Sequence, residues 1–385
     1  VRPHGGTLSC CVCGSCFHTP DPGLGREFIL RQCPVLALTL HSCGSPQLAG
    51  VYPRELCAHK VMRKIFEAGL ACSFLVACCC AQTPTLQVLP WNDHRAAVSL
   101  TFDDADSVQL DRAVPFLNRR HLRGTFFLTI SKLTRLDDWR KAQRQGHEIG
   151  NHSVSHEHPA TLTKVNEEVQ VEDAKRFLDS NFKSDVLIFA YPYEESSPGL
   201  AFWVKRYDFA ARGWRGGGDL LYVRPDAEPD WYSLPSQPSY TRYDASVYKG
   251  WIDKAISLGA WTTLQMHGID DPSTGWEPIP ATTFVSLLDY LRAKERQGLW
   301  IAPFGVVAAY FRAQRIVQQA ETHSVDGGKQ FAWELPHPFP AGVVLKTRVR
   351  QGSRLFQRGR ELHPDKHGIY SVSFDARELA IRGGL

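Results

Sequence analysis

From Ala96 onward, short apolar runs alternate with stretches whose apolar residues recur every three or four positions. Residues 97–102, 124–128, 148–152, 186–191, 209–212, 261–266 and 299–302 read as strands. Between them, 108–120 carries Leu110, Ala113, Val114 and Leu117 at helical spacing, and 139–145, 165–178, 198–206, 245–258, 281–297 and 305–312 read as helices in the same way. The stretch 213–243, rich in Gly, Pro and Tyr, shows neither period. Strand–helix alternation repeated this often predicts an α/β fold with a parallel sheet, and about seven such units predict a (β/α) barrel over 90–314. Beyond Ala320 the period changes. Short strands at 330–335, 343–349, 353–357 and 369–374, set between Pro, Gly and Asp turns, predict a small C-terminal β-rich module over 325–385.

Composition narrows the class without naming it. With 43% apolar, 22% charged and 11% aromatic residues, the 385-residue chain can bury a large core, which excludes disorder and coiled coil. The 44 Lys+Arg nearly balance the 40 Asp+Glu, so the chain lacks the electrostatic footprint of a nucleic-acid binder.

Cysteine usage divides the chain sharply: all 11 lie at or before Cys80. Met62, Arg63 and Lys64 precede a mostly apolar run to Ala77, the pattern of a secretory signal peptide over 62–81. Residues 1–61 are then expected to be a spurious upstream extension of the reading frame. The rival is a zinc-binding head built on Cys10, Cys13, Cys16 and His18, without a second spaced ligand pair to complete it. Leu75-Val76-Ala77-Cys78 fits a bacterial lipoprotein box, with Cys78 as the lipid-anchored residue; cleavage after Ala81 is the alternative. Either way the expectation is export to a periplasmic, cell-envelope or extracellular site.

Four pieces carry chemistry. Asp103-Asp104 ends the first barrel strand, His152 and His156 follow another, Tyr191-Pro192-Tyr193 ends a third, and His267 ends a late one. Two imidazoles and a carboxylate are a ligand set for a catalytic divalent ion. One aspartate of the pair then binds the ion while the other accepts a proton from water, and a His opposite protonates a leaving group. Such parts hydrolyse an amide or ester. Singly, each piece has an ordinary reading: a helix cap, a surface loop, a strand terminator. As an ordered set at predicted strand ends they converge, because barrels gather their chemistry at the C-terminal ends of strands.

With T-F-D-D, H-S-x-x-H, a strand ending in Y-P-Y and a late strand ending in His, residues 96–313 resemble the polysaccharide deacetylases of carbohydrate esterase family 4, the NodB-homology domain. The resemblance implies a distorted (β/α) barrel and metal-dependent removal of N-acetyl groups from amino sugars, or of O-acetyl groups from xylan; the non-enzyme alternative is a carbohydrate-binding protein on a deacetylase scaffold. It implies Asp103 as catalytic base, Asp104, His152 and His156 as metal ligands and His267 as catalytic acid. Tyr193 matches the residue whose backbone N–H steadies the oxyanion. The ion implied is Zn²⁺, with Co²⁺ or Ni²⁺ as alternatives, and the partner is an acetylated polysaccharide or oligosaccharide. There are departures. The family's third motif usually holds an Arg where this chain has Ala190, and Arg212 is the candidate to replace it. Glu194 stands where Gly is common, and Gln265 where Leu lines the acetyl pocket, leaving Leu264 beside it as the expected pocket residue. Trp214, Trp231, Tyr232 and Trp276 are candidates to stack on sugar rings.

Overall fold

A computed structural model describes residues 86–383 except 215, 271–275 and 326. The expected extension 1–61, the leader 62–81, the Cys78 anchor and the side chain of Trp214 lie outside the described residues.

Strand Ala96–Phe102 is buried along its whole length and sits at the centre of a parallel sheet. Thr125–Leu128 pairs on one side and Trp261–Met266 on the other, and Leu299–Ile301 pairs with its first half. A strand covered on both faces is mostly apolar, and its two hydroxyls are satisfied internally: Thr101 Oγ1 donates to the Leu264 carbonyl and Ser99 Oγ accepts from Trp261 Nε1. From Thr125–Leu128 the sheet continues through Glu148–Asn151, Ile188–Ala190 and Ala210–Trp214 to Leu234–Pro235. At the other edge Trp261–Met266 pairs with Gln237–Pro238. Only Ser236 separates these two outermost strands, so the segment 234–238 draws the sheet's edges together into a nearly closed barrel.

This closing segment lies in the stretch expected to be irregular. Its ladders are two residues long and carry Pro235 and Pro238, so neither a period nor strand propensity marks it. Elsewhere the expected elements are present, and helix Ala245–Leu258 and strand Trp261–Met266 have the expected bounds. Between barrel and helices Phe102 stacks on Phe126 at 4.8 Å and meets Phe284 edge-on. Gly150 allows a close approach within the sheet: a Cβ there would lie 2.4 Å from the Phe127 ring.

The C-terminal region is β-rich, as expected. Five antiparallel strands run in the order Glu321–Val325, Gly328–Ala332, Glu378–Arg382, Arg354–Gln357, Arg360–Leu362. A second sheet pairs Val344–Val349 with Tyr370–Ser373 and, from the other end of the chain, with Leu86–Val88. Their shared core of Leu345, Leu355, Val372, Leu379 and Ile381 is completed by Tyr310, Ala313 and Val317. Those three come from helix Phe304–Gln318, which therefore runs past the expected end at residue 312.

Candidate active site

Because the barrel strands are parallel, residues that follow each strand emerge at one mouth. A cavity of about 1080 Å³ opens there, lined among others by Asp103, Asp104, His152, His156, Tyr193 and His267.

Adjacent residues on a strand point to opposite faces. Past Phe102 the backbone turns: Asp104 has φ 79° and Ala105 φ 61°, which brings both aspartates to the cavity. Asp104 Oδ1 lies 3.1 Å from His156 Nε2 and 3.8 Å from His152 Nε2. One ligand atom from each of these three residues falls within 4.8 Å of the others. His152 Nδ1 donates to the Ala190 carbonyl at 2.7 Å, which fixes its proton there and leaves the Nε2 lone pair facing Asp104 and His156. The loop between the histidines is braced from helix Lys164–Asn181, where Gln170 Oε1 accepts from the N–H groups of Val154 and Ser155. Ser153 Oγ accepts from the N–H of His156 at 3.0 Å.

Burial lowers the pKa of His152, partly offset by Asp103 and Asp104. Burial and then the neighbouring His152 push His156 down to about 4. Burial opposes ionisation of Asp104, but His152, His267, His156 and Lys132 together outweigh it and hold its carboxyl below the usual value. Two neutral imidazoles and a carboxylate, one ring oriented by a backbone carbonyl, are the donor set that a divalent ion requires. The residues fit the implied ion.

Asp103 is almost fully buried and differently held. Its Oδ2 accepts from Arg212 Nη2 at 2.5 Å and from Gln265 Nε2 at 3.0 Å, while Oδ1 has no hydrogen-bond partner. Burial would raise its pKa, but Arg212, His152 and His267 hold the carboxyl well below the ordinary range. Arg212 itself lies over the Phe127 ring at 5.3 Å. His267 Nε2 is 3.9 Å from Asp103 Oδ2, and Trp276 packs edge-on at 5.1 Å from the His267 ring. Tyr193, at φ 56°, stacks on His158 at 3.6 Å on the rim beside His156.

Some expectations need correcting. Leu264 is fully buried in the core and does not line the cavity, because strand alternation turns Gln265 inward instead. Trp231 and Tyr232 also lie away from it: Trp231 packs on Phe311, and Lys205 and Arg312 lie over the Tyr232 ring. Three contributors were not foreseen. Gln109 Nε2 donates to the backbone oxygens of Asp103, at 2.6 Å, and His267, tying two strand ends together. Ser236 Oγ lies 3.3 Å from Gln265 Oε1 and 3.2 Å from Glu194 Oε1, making one wall polar. Lys132 Nζ lies 3.1 Å from Asp104 Oδ1. The available signal was a lone Gln inside the run Leu264–Gln265–Met266, where a buried amide demands a polar partner.

Residues 92–211 match the family described as polysaccharide deacetylase, bearing out the resemblance read from the motifs. The chain is also 23% identical over 254 residues to a gellan lyase from Bacillus sp, covering 58% of this chain and 10% of that protein. Among solved structures, it is similar to a family 4 acetyl xylan esterase from Clostridium thermocellum in complex with a cobalt ion (19% identity, 55% of this chain, 89% of that one, TM-score 0.41). The peptidoglycan deacetylase PdaC from Bacillus subtilis is 18% identical over 58% of this chain and 95% of its own, with a TM-score of 0.41. A family 4 pseudoenzyme from Bacillus anthracis is 19% identical over 55% of this chain and 65% of its own, with a TM-score of 0.40.

Proposed function

Taking the match of residues 92–211 to polysaccharide deacetylases as the premise, we propose that this chain removes N-acetyl groups from amino sugars of a polysaccharide or oligosaccharide, by hydrolysis of a carbon–nitrogen bond. The observation that carries this reading is a buried, arginine-held carboxylate, Asp103, set beside a three-ligand Asp104–His152–His156 cluster.

Asp104, His152 and His156 would hold the divalent ion, Zn²⁺ before Co²⁺ or Ni²⁺. Bound there, the ion supplies Lewis-acid polarisation and a lowered water pKa. Asp103 accepts the attacking water's proton at Oδ1, the oxygen left open when Arg212 and Gln265 occupy Oδ2. His267, across the cavity, donates a proton to the departing nitrogen. The backbone N–H of Tyr193 serves the developing oxyanion. Trp276 and the Tyr193–His158 pair offer apolar faces to sugar rings on either side of the cluster. Export follows from the leader pattern at 62–81, with a lipid anchor at Cys78 as one form of it.

A second reading keeps the site and changes the acyl group or bond, to an O-acetyl ester or another amide. The polar wall of Gln265, Ser236 and Glu194 favours a different acyl group over a different bond, since the acetyl amide and the acetyl ester carry the same methyl group, which gains nothing from such a surface.

The test is acetate release from N-acetylglucosamine oligomers, peptidoglycan fragments and acetylated xylan, with Zn²⁺ added, with chelator, and with Asp103→Asn. Release from the first two substrates that both chelator and the Asn variant abolish supports the N-deacetylase. Release from xylan alone moves the assignment to the ester. No release from any of them, with metal bound, removes the acetyl substrate.

A further inference from the structure

Lys132 is the one lysine or arginine among the described residues that line the cavity, and it does not lie there loosely. It ends the short turn Ile130–Lys132, whose backbone is bonded to the histidine loop: Ile130 N–H donates to the Ser153 carbonyl and Ser131 N–H to that of Val154. The turn and the metal-ligand loop are thus one fixed piece. From it the lysine side chain, about half exposed, reaches the carboxylate oxygen of Asp104 that also faces both imidazoles. Nζ lies 3.1 Å from Oδ1, the same distance as His156 Nε2.

We propose that Lys132 is a built-in competitor for the metal site: its ammonium pairs with the Asp104 oxygen that a divalent ion would take, so the ion must displace it and its charge sets the site's affinity. This rests on the metal-site reading above. The physical basis is direct. An ammonium and a divalent cation at one carboxylate oxygen repel, whereas either alone is attracted. In an open, solvated cavity that repulsion is screened to about a tenfold effect on binding. The stem is long and flexible enough for the freed ammonium to swing into the cavity without moving the loop.

The probe is Co²⁺, titrated by equilibrium dialysis into the full chain. Its cysteines, all at or before Cys80, are first alkylated with iodoacetamide so that thiolates do not contribute. Asp104→Ala gives the baseline. Lys132→Met, which keeps the stem and removes the charge, is expected to bind about tenfold more tightly than wild type. Lys132→Arg is expected within about threefold of wild type, and the advantage of the Met variant should shrink as salt rises toward ~1 M. One Co²⁺ bound per chain, lost in Asp104→Ala but with equal affinity in wild type and Lys132→Met, would overturn the competition while leaving the metal site intact. No binding above the Asp104→Ala baseline in any variant would remove the site itself, and the proposal with it.

Discussion

Arg212 Nη2 lies 2.5 Å from Asp103 Oδ2, and neither side chain has more than 1% of its surface exposed. The arginine comes from the strand next to the one where the family's third motif usually carries it. Ala190 holds that usual place, and Ala190 and Arg212 are register partners across the parallel ladder. A guanidinium moved one strand sideways at the same level reaches the same carboxylate, so the departure at Ala190 leaves the Asp103 ion pair in place.

Removing that guanidinium strands a buried carboxylate. Arg212→Met is expected to cost about 3–5 kcal/mol of stability, the range for breaking a buried pair by deleting one partner. It should also lower kcat about 100-fold by releasing the orientation of Asp103. Arg212→Lys keeps the charge but only part of the donor geometry, and should fall between. Urea unfolding and acetate release on the same samples check both effects. A Met variant with wild-type stability would mean the pair is not buried as described.

Gln265 supplies the second donor to Asp103 Oδ2, at 3.0 Å. Gln265→Leu removes it while Arg212 remains, so the expected result is a kcat lower by about tenfold, the value of one hydrogen bond to a charged group. The new side chain also makes the wall apolar, so KM for an acetylated substrate should fall or hold. A rise in KM with kcat unchanged would show that Gln265 contacts substrate instead of positioning Asp103.

These two residues mark how far the sequence could be read. Strand ends pointed to Asp103, Asp104, His152 and His267, and the four-residue spacing from His152 added His156; all five line one cavity. Which side of a strand faces the cavity is less legible when both faces are buried: Leu264 and Gln265 differ by one position, and only the three-dimensional register shows that the amide looks inward. Gln109 and Lys132 sit on a π-helical turn and a 3₁₀ turn, where no periodicity marks function. The closing segment 234–238 was hidden for the same reason. In the C-terminal module the strand Glu321–Val325 is almost wholly exposed and polar, so alternation could not reveal it.

If Asp104, His152 and His156 hold an ion in the folded state only, the ion must stabilise that state. At about 100 times its dissociation constant, Zn²⁺ should add about 2.7 kcal/mol and raise Tm by roughly 5 °C. His156→Ala should abolish the shift. His158→Ala should retain it, because His158 pairs with Glu195 and stacks on Tyr193 outside the cluster. Thermal unfolding with and without chelator distinguishes these cases, and an equal shift in His156→Ala would place the ion elsewhere.

His147 and Glu148, adjacent at the opposite end of the barrel, tie stability to pH in opposing directions. Gly124 N–H donates to His147 Nδ1, so the buried ring is neutral with its proton on Nε2, toward Asn118. Burial and then Arg123 push its pKa down to about 4. The unfolded chain takes up that proton near pH 6.5, so this contribution is complete above 6.5 and is lost as pH falls toward 4. Burial raises the Glu148 carboxyl to about 7, although Thr125 Oγ1 and Gly305 N–H both donate to it. Its contribution is therefore complete below about pH 4.5 and is lost as pH rises toward 7. The histidine's share is on the order of 3 kcal/mol. Glu148 is half-buried on the wall of a second cavity, and solvent there reduces its share to on the order of 2 kcal/mol. Between pH 4.5 and 6.5 the two slopes nearly cancel, so wild-type unfolding free energy should be almost flat on their account. His147→Gln should lose stability as pH rises through that window, and Glu148→Gln should gain it. Denaturant titrations of the three proteins at pH 4.5, 5.5 and 6.5 measure both slopes, and parallel profiles for the two variants would contradict the opposed assignment.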